Sequence, residues 1–269
     1  MHPAQVILPK TPVGGVITAN LIQYFDTTNS SCYPGSGSTV YDLGPNEYDA
    51  GLFNYTWDSV NNALVSNGSN SYAGIANVAA TNFNLNNGSG DLTVEVWLAC
   101  DNMVRAGNTD SILAYGHVFG GSGNYQWEVI KYLDGSSDTR IILKIQGTVY
   151  GTISRGWYLD WSDVSYTGPT IANAEWFQLV FTWNKATDTF AAYINGVDCG
   201  GYDLNTGTLG AYMAVSSTYD DESLFGRYSY PSDRRSFLGK WKIVRVYDAA
   251  LTASEVLQNF NADKSKIGL

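Results

Sequence analysis

Apolar and polar residues alternate with a period of two in several short stretches of this 269-residue chain. In the clearest stretch, Leu92–Cys100, one side of the alternation consists of Leu92, Val94, Val96, Leu98 and Cys100. Successive side chains of a strand point to opposite faces, so this pattern predicts a strand with one face in a core. Similar patterns predict strands at Leu21–Asp26, Tyr125–Leu133, Arg140–Gln146, Val149–Ser154, Glu175–Asn184, Phe190–Ile194 and Phe237–Tyr247.

Turn residues separate these strands, and Asn195-Gly196 gives the strongest hairpin signal. One helix is predicted near the end of the chain, where Thr252 and Glu255 have the spacing of a capping box. Leu251 and Val256 are placed to form the hydrophobic staple of this helix. Many short strands without intervening helices predict an all-β sandwich or jelly roll with one short C-terminal helix.

Prolines interrupt the first residues of the chain and predict an extended arm over residues 1–16, followed by a single domain over residues 17–269. A Pro-rich terminus is loose unless it is tied down, so the arm is expected to bind either the domain's own surface or a neighbouring subunit. Both alternatives are open. The residues of the arm predicted to bind a partner are Pro3, Val6, Ile7, Leu8, Pro9 and Pro12.

The chain is acidic, with a net charge of −10 and a pI of about 4.5. This charge argues against nucleic acid and against anionic membranes as partners, and no apolar run has the length needed for membrane insertion. Residues Met1–Lys10 lack the apolar core of a signal peptide, so synthesis in a cytoplasm is expected. Basic residues crowd Arg227–Arg245, and this asymmetry favours either head-to-tail self-association or two solvated faces.

Catalytic patterns are missing from the sequence. A sandwich glycosidase needs two carboxylates on one strand face, whereas the best strand offers only Glu95, which is expected to be a hydrogen-bonded sheet residue. The two histidines are His2, in the arm, and His117, in a predicted Gly-rich loop, and no nucleophile motif accompanies them. We therefore predict a protein that is not an enzyme. A glycosidase that depends on Glu95 is the remote alternative.

Calcium is the one cofactor considered, because three loops carry oxygen ligands of the kind it prefers. These loops contain Asp101-Asn102, Asp160/Asp163 and Asp220-Asp221-Glu222. Acidic loop residues are usually solvated, so no cofactor is expected. The three cysteines, Cys32, Cys100 and Cys199, have no metal-ligand spacing, and Cys100 is expected to be buried.

One stretch combines aromatic rings with polar groups, as glycan binding requires. Its candidate glycan-binding residues are Trp157, Tyr158, Asp160, Trp161, Asp163 and Tyr166. The alternative interpretation is that these rings cover an open end of the sandwich or form a subunit contact.

Three segments resemble the laminin-G-like, concanavalin A-like domains: EWFQLVFTW at 175–183, AAYINGV at 191–197 and LGKWKIVRVYDAALTASEVLQNFNADKS at 238–265. Upstream, LIQYFDTTNSSCYPGSGSTVYDLG at 21–44 and LTVEVWL at 92–98 fit the same pattern. The resemblance implies a concanavalin A-like jelly-roll sandwich. The chain departs from it at Ser66–Ile75 and at Lys240–Lys242, where the family commonly has acidic residues beside calcium. These departures imply that the family's usual calcium site is missing.

The final segment, EVLQNFNADKSKIGL at 255–269, is similar to such domains in structural proteins of tailed phages. This similarity implies a virion protein assembled in a host cytoplasm, with capsid or tail proteins of the same virion as partners and homo-oligomerisation expected. The first hypothesis is a capsid decoration or head appendage. The second is a carbohydrate-binding module of a tail or fibre that recognises surface glycans.

Overall fold

Two antiparallel sheets pack face to face in the computed structural model, which describes residues 15–75, 83–102, 110–117, 125–133, 139–146, 153–160, 165–203, 212, 222–224 and 236–269. The strands in this part of the chain are β1 (Leu21–Asp26), β2 (Thr39–Val40), β3 (Ala50–Phe53), β4 (Thr56–Asp58), β5 (Ala63–Asn67), β6 (Tyr72–Ile75), β7 (Leu92–Cys100), β8 (Asp110–His117), β9 (Tyr125–Leu133), β10 (Thr139–Gln146), β11 (Ile153–Asp160), β12 (Trp176–Asn184), β13 (Thr189–Ile194), β14 (Val197–Asp198), β15 (Tyr202–Asp203), β16 (Glu222–Leu224) and β17 (Leu238–Tyr247).

Sheet A runs in the order β14-β13-β12-β7-β17-β5-β4, with β1 also paired to β17. Sheet B runs in the order β15-β11-β10-β9-β8-β16-β6-β3-β2. Strands far apart in sequence are therefore neighbours, and the last strand, β17, lies in the middle of sheet A. Together with the short C-terminal helix, these two antiparallel sheets confirm the predicted all-β jelly-roll sandwich.

Strand β7 shows how the sequence pattern builds the core. Its alternate residues from Leu92 to Cys100 join the main core cluster, to which sheet B contributes Val129 and Leu143. The opposite face carries Trp97, which belongs to a second cluster on the outer side of sheet A. All nine residues of β7 are buried because both faces are covered.

Strand β17 does not keep a simple alternation, because its pairing with β7 shifts register between Trp241 and Ile243. Such a bulge places two residues of one strand opposite one residue of its partner and changes which face the following residues occupy. Trp241, Val244 and Val246 accordingly join the main core, whereas Ile243 joins the second cluster.

The outer face of sheet A is covered by helix α1 (Ala253–Asp263) and a following 3-10 helix (Lys264–Ile267). The predicted capping box is confirmed, since the Thr252 side chain accepts a hydrogen bond from the Glu255 amide and the Glu255 carboxylate accepts one from the Thr252 amide. Leu251 and Val256 are both buried beneath the helix, as the predicted staple requires. The helix packs on the sheet through Phe260, whose ring stacks on Trp97 at 5.8 Å.

The chain enters the described structure beside this helix. The amide of Ile17 donates to Asn259 Oδ1, and Gln258 Nε2 donates to the carbonyl of Gly15. The predicted partner-binding residues of the arm, Pro3 to Pro12, lie outside the described residues. Within the described residues, no helix is both long and apolar enough to cross a membrane.

Most predicted strands are found within one residue of their expected ends, and Asn195 and Gly196 adopt φ values of 54° and 75° in the predicted hairpin turn. Two elements differ from their expected extent in the described residues. The strand expected at Val149–Ser154 falls partly outside the described residues, which show a strand over Ile153–Asp160 in which Trp157 and Leu159 alternate inward against β10. His117, expected in a loop, ends strand β8.

Candidate functional site

The aromatic stretch predicted to bind glycans is only partly described. Trp157 lies opposite Leu143 on the core-facing side of β11, where it stacks on Phe190 of sheet A at 6.0 Å. Its indole N–H donates to the carbonyl of Gly200 at 3.2 Å. Trp157 thus packs between the two sheets at one edge of the sandwich.

The other described members of this stretch are also engaged within the protein. Asp160 is buried and pairs with Arg140 Nε at 2.6 Å. The hydroxyl of Tyr166 donates to the carbonyl of Pro169, and burial raises the pKa of Tyr166. Tyr158 is described by its backbone pairing with Ile142. Trp161 and Asp163 lie outside the described residues, so glycan binding by this stretch stays a prediction.

The residues predicted as possible calcium ligands are either bonded within the protein or outside the described residues. The carbonyl of Asn102 accepts a hydrogen bond from Lys131 Nζ at 3.2 Å, and Asp160 is paired as above. Asp163, Asp220 and Asp221 lie outside the described residues. Within the described ranges, no group of three or more His, Cys, Asp or Glu residues is arranged to hold a metal ion.

The three cysteines are free and buried, which confirms the expectation for Cys100. Burial raises the pKa of the Cys100 thiol to about 11 and that of Cys199 to about 12. Neither thiol is therefore ionised near neutral pH, and a thiol is a poor nucleophile.

Glu95, the one carboxylate considered for hydrolysis, is fully buried between sheet A and α1. Its two oxygens accept hydrogen bonds of 2.8–2.9 Å from Trp97 Nε1, Gln178 Nε2, Arg245 Nη1 and Asn259 Nδ2. Arg245 also pairs with Asp263 of α1. Burial disfavours the guanidinium charge, but these two carboxylates hold the pKa of Arg245 well above its usual value. Glu95 is thus the hydrogen-bonded sheet residue that the sequence predicted.

A different aromatic site lies at the β4 edge of sheet A, and we call it the Tyr33–Trp57 cleft. It has a volume of about 170 Å³ and opens to solvent. Its lining residues are Thr27, Thr28, Ser30, Tyr33, Pro34, Gly35, Trp57 and Asn62. The aromatic floor consists of Tyr33 and Trp57, whose ring centroids lie 5.0 Å apart at an interplanar angle of 54°.

Hydrogen bonds hold the segment after β1 that forms one wall of the cleft. Asp26 Oδ1 accepts from both the amide and the hydroxyl of Thr28, at 3.0 and 2.6 Å. The Thr27 hydroxyl donates to the carbonyl of Asn62 at 2.7 Å and so ties this wall to the turn after β4. The amides of Cys32 and Tyr33 both donate to the carbonyl of Asn29. This wall of the cleft is therefore preformed by hydrogen bonds within the protein.

Gly35 is needed at the rim of the cleft for two reasons. Its φ of 87° lies in the left-handed region, which glycine adopts without steric cost. A Cβ at this position would lie 3.2 Å from Nε1 of Trp57. The absence of a side chain therefore lets the backbone approach the indole edge.

The polar groups at the rim are available to a ligand. Ser30 and Asn62 are exposed, and neither side chain has a hydrogen bond among the described residues. Thr28 is half-buried and uses its hydroxyl proton within the protein, which leaves its oxygen lone pairs as acceptors, whereas Thr27 is buried. The Asn62 amide and the hydroxyl oxygens of Thr28 and Ser30 thus lie beside the partly exposed Trp57 ring.

Two ion pairs flank the cleft. Burial alone would raise the pKa of Asp26, but Lys266, 2.5 Å away, outweighs this effect and lowers it. Hydrogen bonds from Lys240 and Asn61 lower the pKa of Asp58, which adjoins Trp57. Both carboxylates are therefore charged at neutral pH and already paired.

Sequence reasoning missed this cleft because Tyr33 and Trp57 lie in separate elements and form no local aromatic cluster. The fold brings them together when β4 pairs with β5 at the edge of sheet A. The one local signal is Tyr33-Pro34-Gly35, a turn sequence that carries an aromatic ring.

Comparisons with known proteins bear on this architecture. A laminin-G family model, described as the concanavalin A-like lectin/glucanases superfamily, matches residues 67–257. No curated protein sequence matches the chain.

Among solved structures, Trypanosoma rangeli sialidase aligns with a TM-score of 0.60 and 15% identity, over 94% of this chain and 34% of the sialidase. The receptor binding domain of botulinum neurotoxin C/D mosaic serotype aligns with a TM-score of 0.59 and 12% identity, over 91% of this chain and 52% of that chain. The receptor binding domain of botulinum neurotoxin type G aligns with a TM-score of 0.55 and 14% identity, over 90% of this chain and 51% of that chain. The chain thus spans about a third of the sialidase and about half of each neurotoxin chain, and these likenesses show a shared fold.

Proposed function

The chain belongs to the concanavalin A-like lectin/glucanases superfamily, and from this premise we propose that it is a non-enzymatic glycan-binding domain whose binding site is the Tyr33–Trp57 cleft. The observation that carries the proposal is the partly exposed Trp57 ring, packed on the buried ring of Tyr33, beside the side chains of Ser30 and Asn62, which have no hydrogen bond within the described protein. The wider fold is compatible with recognition, since two of the structural neighbours are receptor binding domains by name.

The chemistry of a sugar ring matches this cleft. One face of a hexose presents C–H groups that pack on an aromatic ring, and its edge presents hydroxyls that need hydrogen-bond partners. Trp57 supplies the ring, and the side chains of Ser30 and Asn62 supply the partners. Because a single ring makes few contacts, we expect a dissociation constant on the order of 1 mM, which corresponds to about 4 kcal/mol of binding free energy.

The non-enzymatic part of the proposal is supported by Glu95. A general acid must reach the substrate, whereas both oxygens of Glu95 are occupied beneath helix α1. The one carboxylate considered for hydrolysis is thus committed to holding the helix on the sheet.

Truncation of the two candidate tryptophans distinguishes the two aromatic sites. Trp57→Ala should abolish binding, because it removes the floor of the cleft. Trp157→Ala should leave the affinity unchanged but lower the melting temperature, because it opens a gap between the stacked rings of the two sheets. Calorimetry against glycans chosen from an array measures the affinity, and thermal unfolding measures stability.

Because Trp57 also packs against the core, a gentler variant is needed. Asn62→Gly keeps the left-handed backbone, since Asn62 has a φ of 50°, and deletes only the amide, so affinity should fall roughly three- to tenfold. Asn54→Gly is the matched control, because Asn54 is exposed with a φ of 57° and does not line the cleft. Unchanged affinity in Trp57→Ala and Asn62→Gly, with loss in Trp157→Ala, would place the site in the sequence-predicted stretch instead.

The biological setting is a separate part of the proposal. We propose that the domain is carried by a phage virion as a capsid decoration, head appendage or tail module, on the strength of the similarity of residues 255–269 to phage structural proteins. Deleting residues 1–11 should then abolish incorporation into particles while the domain still folds. Normal incorporation of the shortened protein, assayed in purified particles, would rule out the arm as the attachment.

A further inference from the structure

The lining of the Tyr33–Trp57 cleft restricts the class of sugar it can take. We infer that the cleft selects an uncharged sugar ring and rejects sialic acid and other acidic sugars. This inference rests on the proposed glycan-binding function. The first reason is that none of the residues lining the cleft carries a charge. Recognition would rest on the ring of Trp57, which Tyr33 supports from the buried side, and on the neutral groups of Ser30, Thr28 and Asn62.

The second reason concerns the lysines of β17 and the 3-10 helix that lie nearest the carboxylates beside the cleft. Lys266 Nζ lies 2.5 Å from Asp26 and 2.7 Å from Asp263, and Lys240 Nζ lies 2.7 Å from Asp58. Lys242 donates to the carbonyl of Lys266. An acidic sugar needs a cation or a cluster of amides to replace the water around its carboxylate, and these lysines are already engaged.

The third reason is the sign of the surrounding field. Asp26 behind Thr28 and Asp58 after Trp57 neutralise the neighbouring lysines, so no net positive charge lies beside the cleft. The whole chain carries a net charge of −10, so the approach of an anionic ligand is disfavoured over several ångströms. A neutral ring meets no such barrier.

The volume of the cleft limits how many sugar rings it can hold. Pockets for drug-sized molecules have volumes of roughly 300–1,000 Å³, whereas this cleft has about 170 Å³. It therefore has room for one ring, with the rest of an oligosaccharide extending into solvent. The expected ligand is a terminal neutral hexose, such as galactose or glucose, with its C–H face on Trp57.

A pair of glycans that differ in one acidic sugar tests the inference. We expect wild-type protein to bind lactose, and sialyllactose at least tenfold more weakly, with both affinities measured by calorimetry or NMR titration. Trp57→Ala should abolish lactose binding, which ties the preference to the cleft.

Adding a cation at the rim should change the selectivity. Ser30 is exposed and lines the cleft, so Ser30→Lys should strengthen sialyllactose binding several-fold, and the gain should decrease with added salt. Ser69→Lys adds the same charge at an exposed turn that does not line the cleft, and should leave both affinities unchanged.

The outcomes separate this inference from the proposed function. Tighter binding of sialyllactose than of lactose by the wild type, abolished in Trp57→Ala, would overturn the neutral selectivity and keep the glycan site. Binding of neither these sugars nor any array glycan would overturn the proposed function, and the inference with it.

Discussion

Glu95 shows how its surroundings decide what one side chain does. In the sequence it is a lone carboxylate among apolar residues of the strand that was most suitable for a glycosidase acid. In the structure it is the centre of a buried network with Arg245 and Asn259. Because a lone buried charge is costly, the network works only when all of its members are present. Glu95 therefore fastens the C-terminal helix to sheet A.

Replacing Glu95 should reduce stability and leave binding intact. Glu95→Ala should lower the free energy of unfolding by about 3–5 kcal/mol, because Arg245 would stay buried with one of its two carboxylates removed. Glu95→Gln keeps the shape and should cost about 1–3 kcal/mol. Urea denaturation measures these losses, and Glu47→Gln at an exposed position is the matched control.

The two Glu95 variants also address catalysis. Glycan affinity of Glu95→Gln should equal that of the wild type, because the network lies under α1 and not in the cleft. A glycan hydrolysis measurable in the wild type and lost in Glu95→Gln, with stability unchanged, would contradict the structural role.

Strands and the helix were predictable where the pattern is local. Leu92–Cys100 alternates cleanly because one face meets the opposing sheet, and Thr252 and Glu255 fix the helix start by their own hydrogen bonds. The bulge in β17 was not predictable, because it depends on how that strand pairs with β7. The strand at Ile153–Asp160 extends six residues beyond the expected end at Ser154, because residues from Trp157 onward were interpreted as glycan-binding candidates.

The candidate site was less predictable than the strands for the same reason. A stretch such as Trp157–Asp163 attracts attention because its rings are neighbours in sequence. In a strand, however, neighbouring residues face opposite sides, and Trp157 faces the core. Tyr33 and Trp57 become neighbours only through the pairing of β4 at the sheet edge, so a single sequence could not reveal their cleft.

At the scale of the molecule, the elements that stabilise the sandwich lie apart from the cleft proposed to bind a ligand. The C-terminal helix and the buried network cover one face of sheet A, whereas the cleft opens at the edge of that sheet. Lys266 joins the two regions, since it binds Asp26, which in turn holds Thr28 in the wall of the cleft. A weak site of this kind becomes effective when many copies act together, because linked binding events can raise avidity by about 10²–10⁴. A virion surface would provide that repetition.

The central claim is that a glycan binds at the Tyr33–Trp57 cleft, and NMR tests it directly. The chain has eight tryptophans, so its ¹H–¹⁵N spectrum contains eight indole signals, and the Trp57 signal can be identified by its loss in Trp57→Phe. Titration with lactose should shift the Trp57 indole and the backbone amides of Thr28, Ser30 and Asn62, and leave the Trp157 indole in place. Shifts confined to Trp157 and its neighbours, with Trp57 unmoved, would contradict the account.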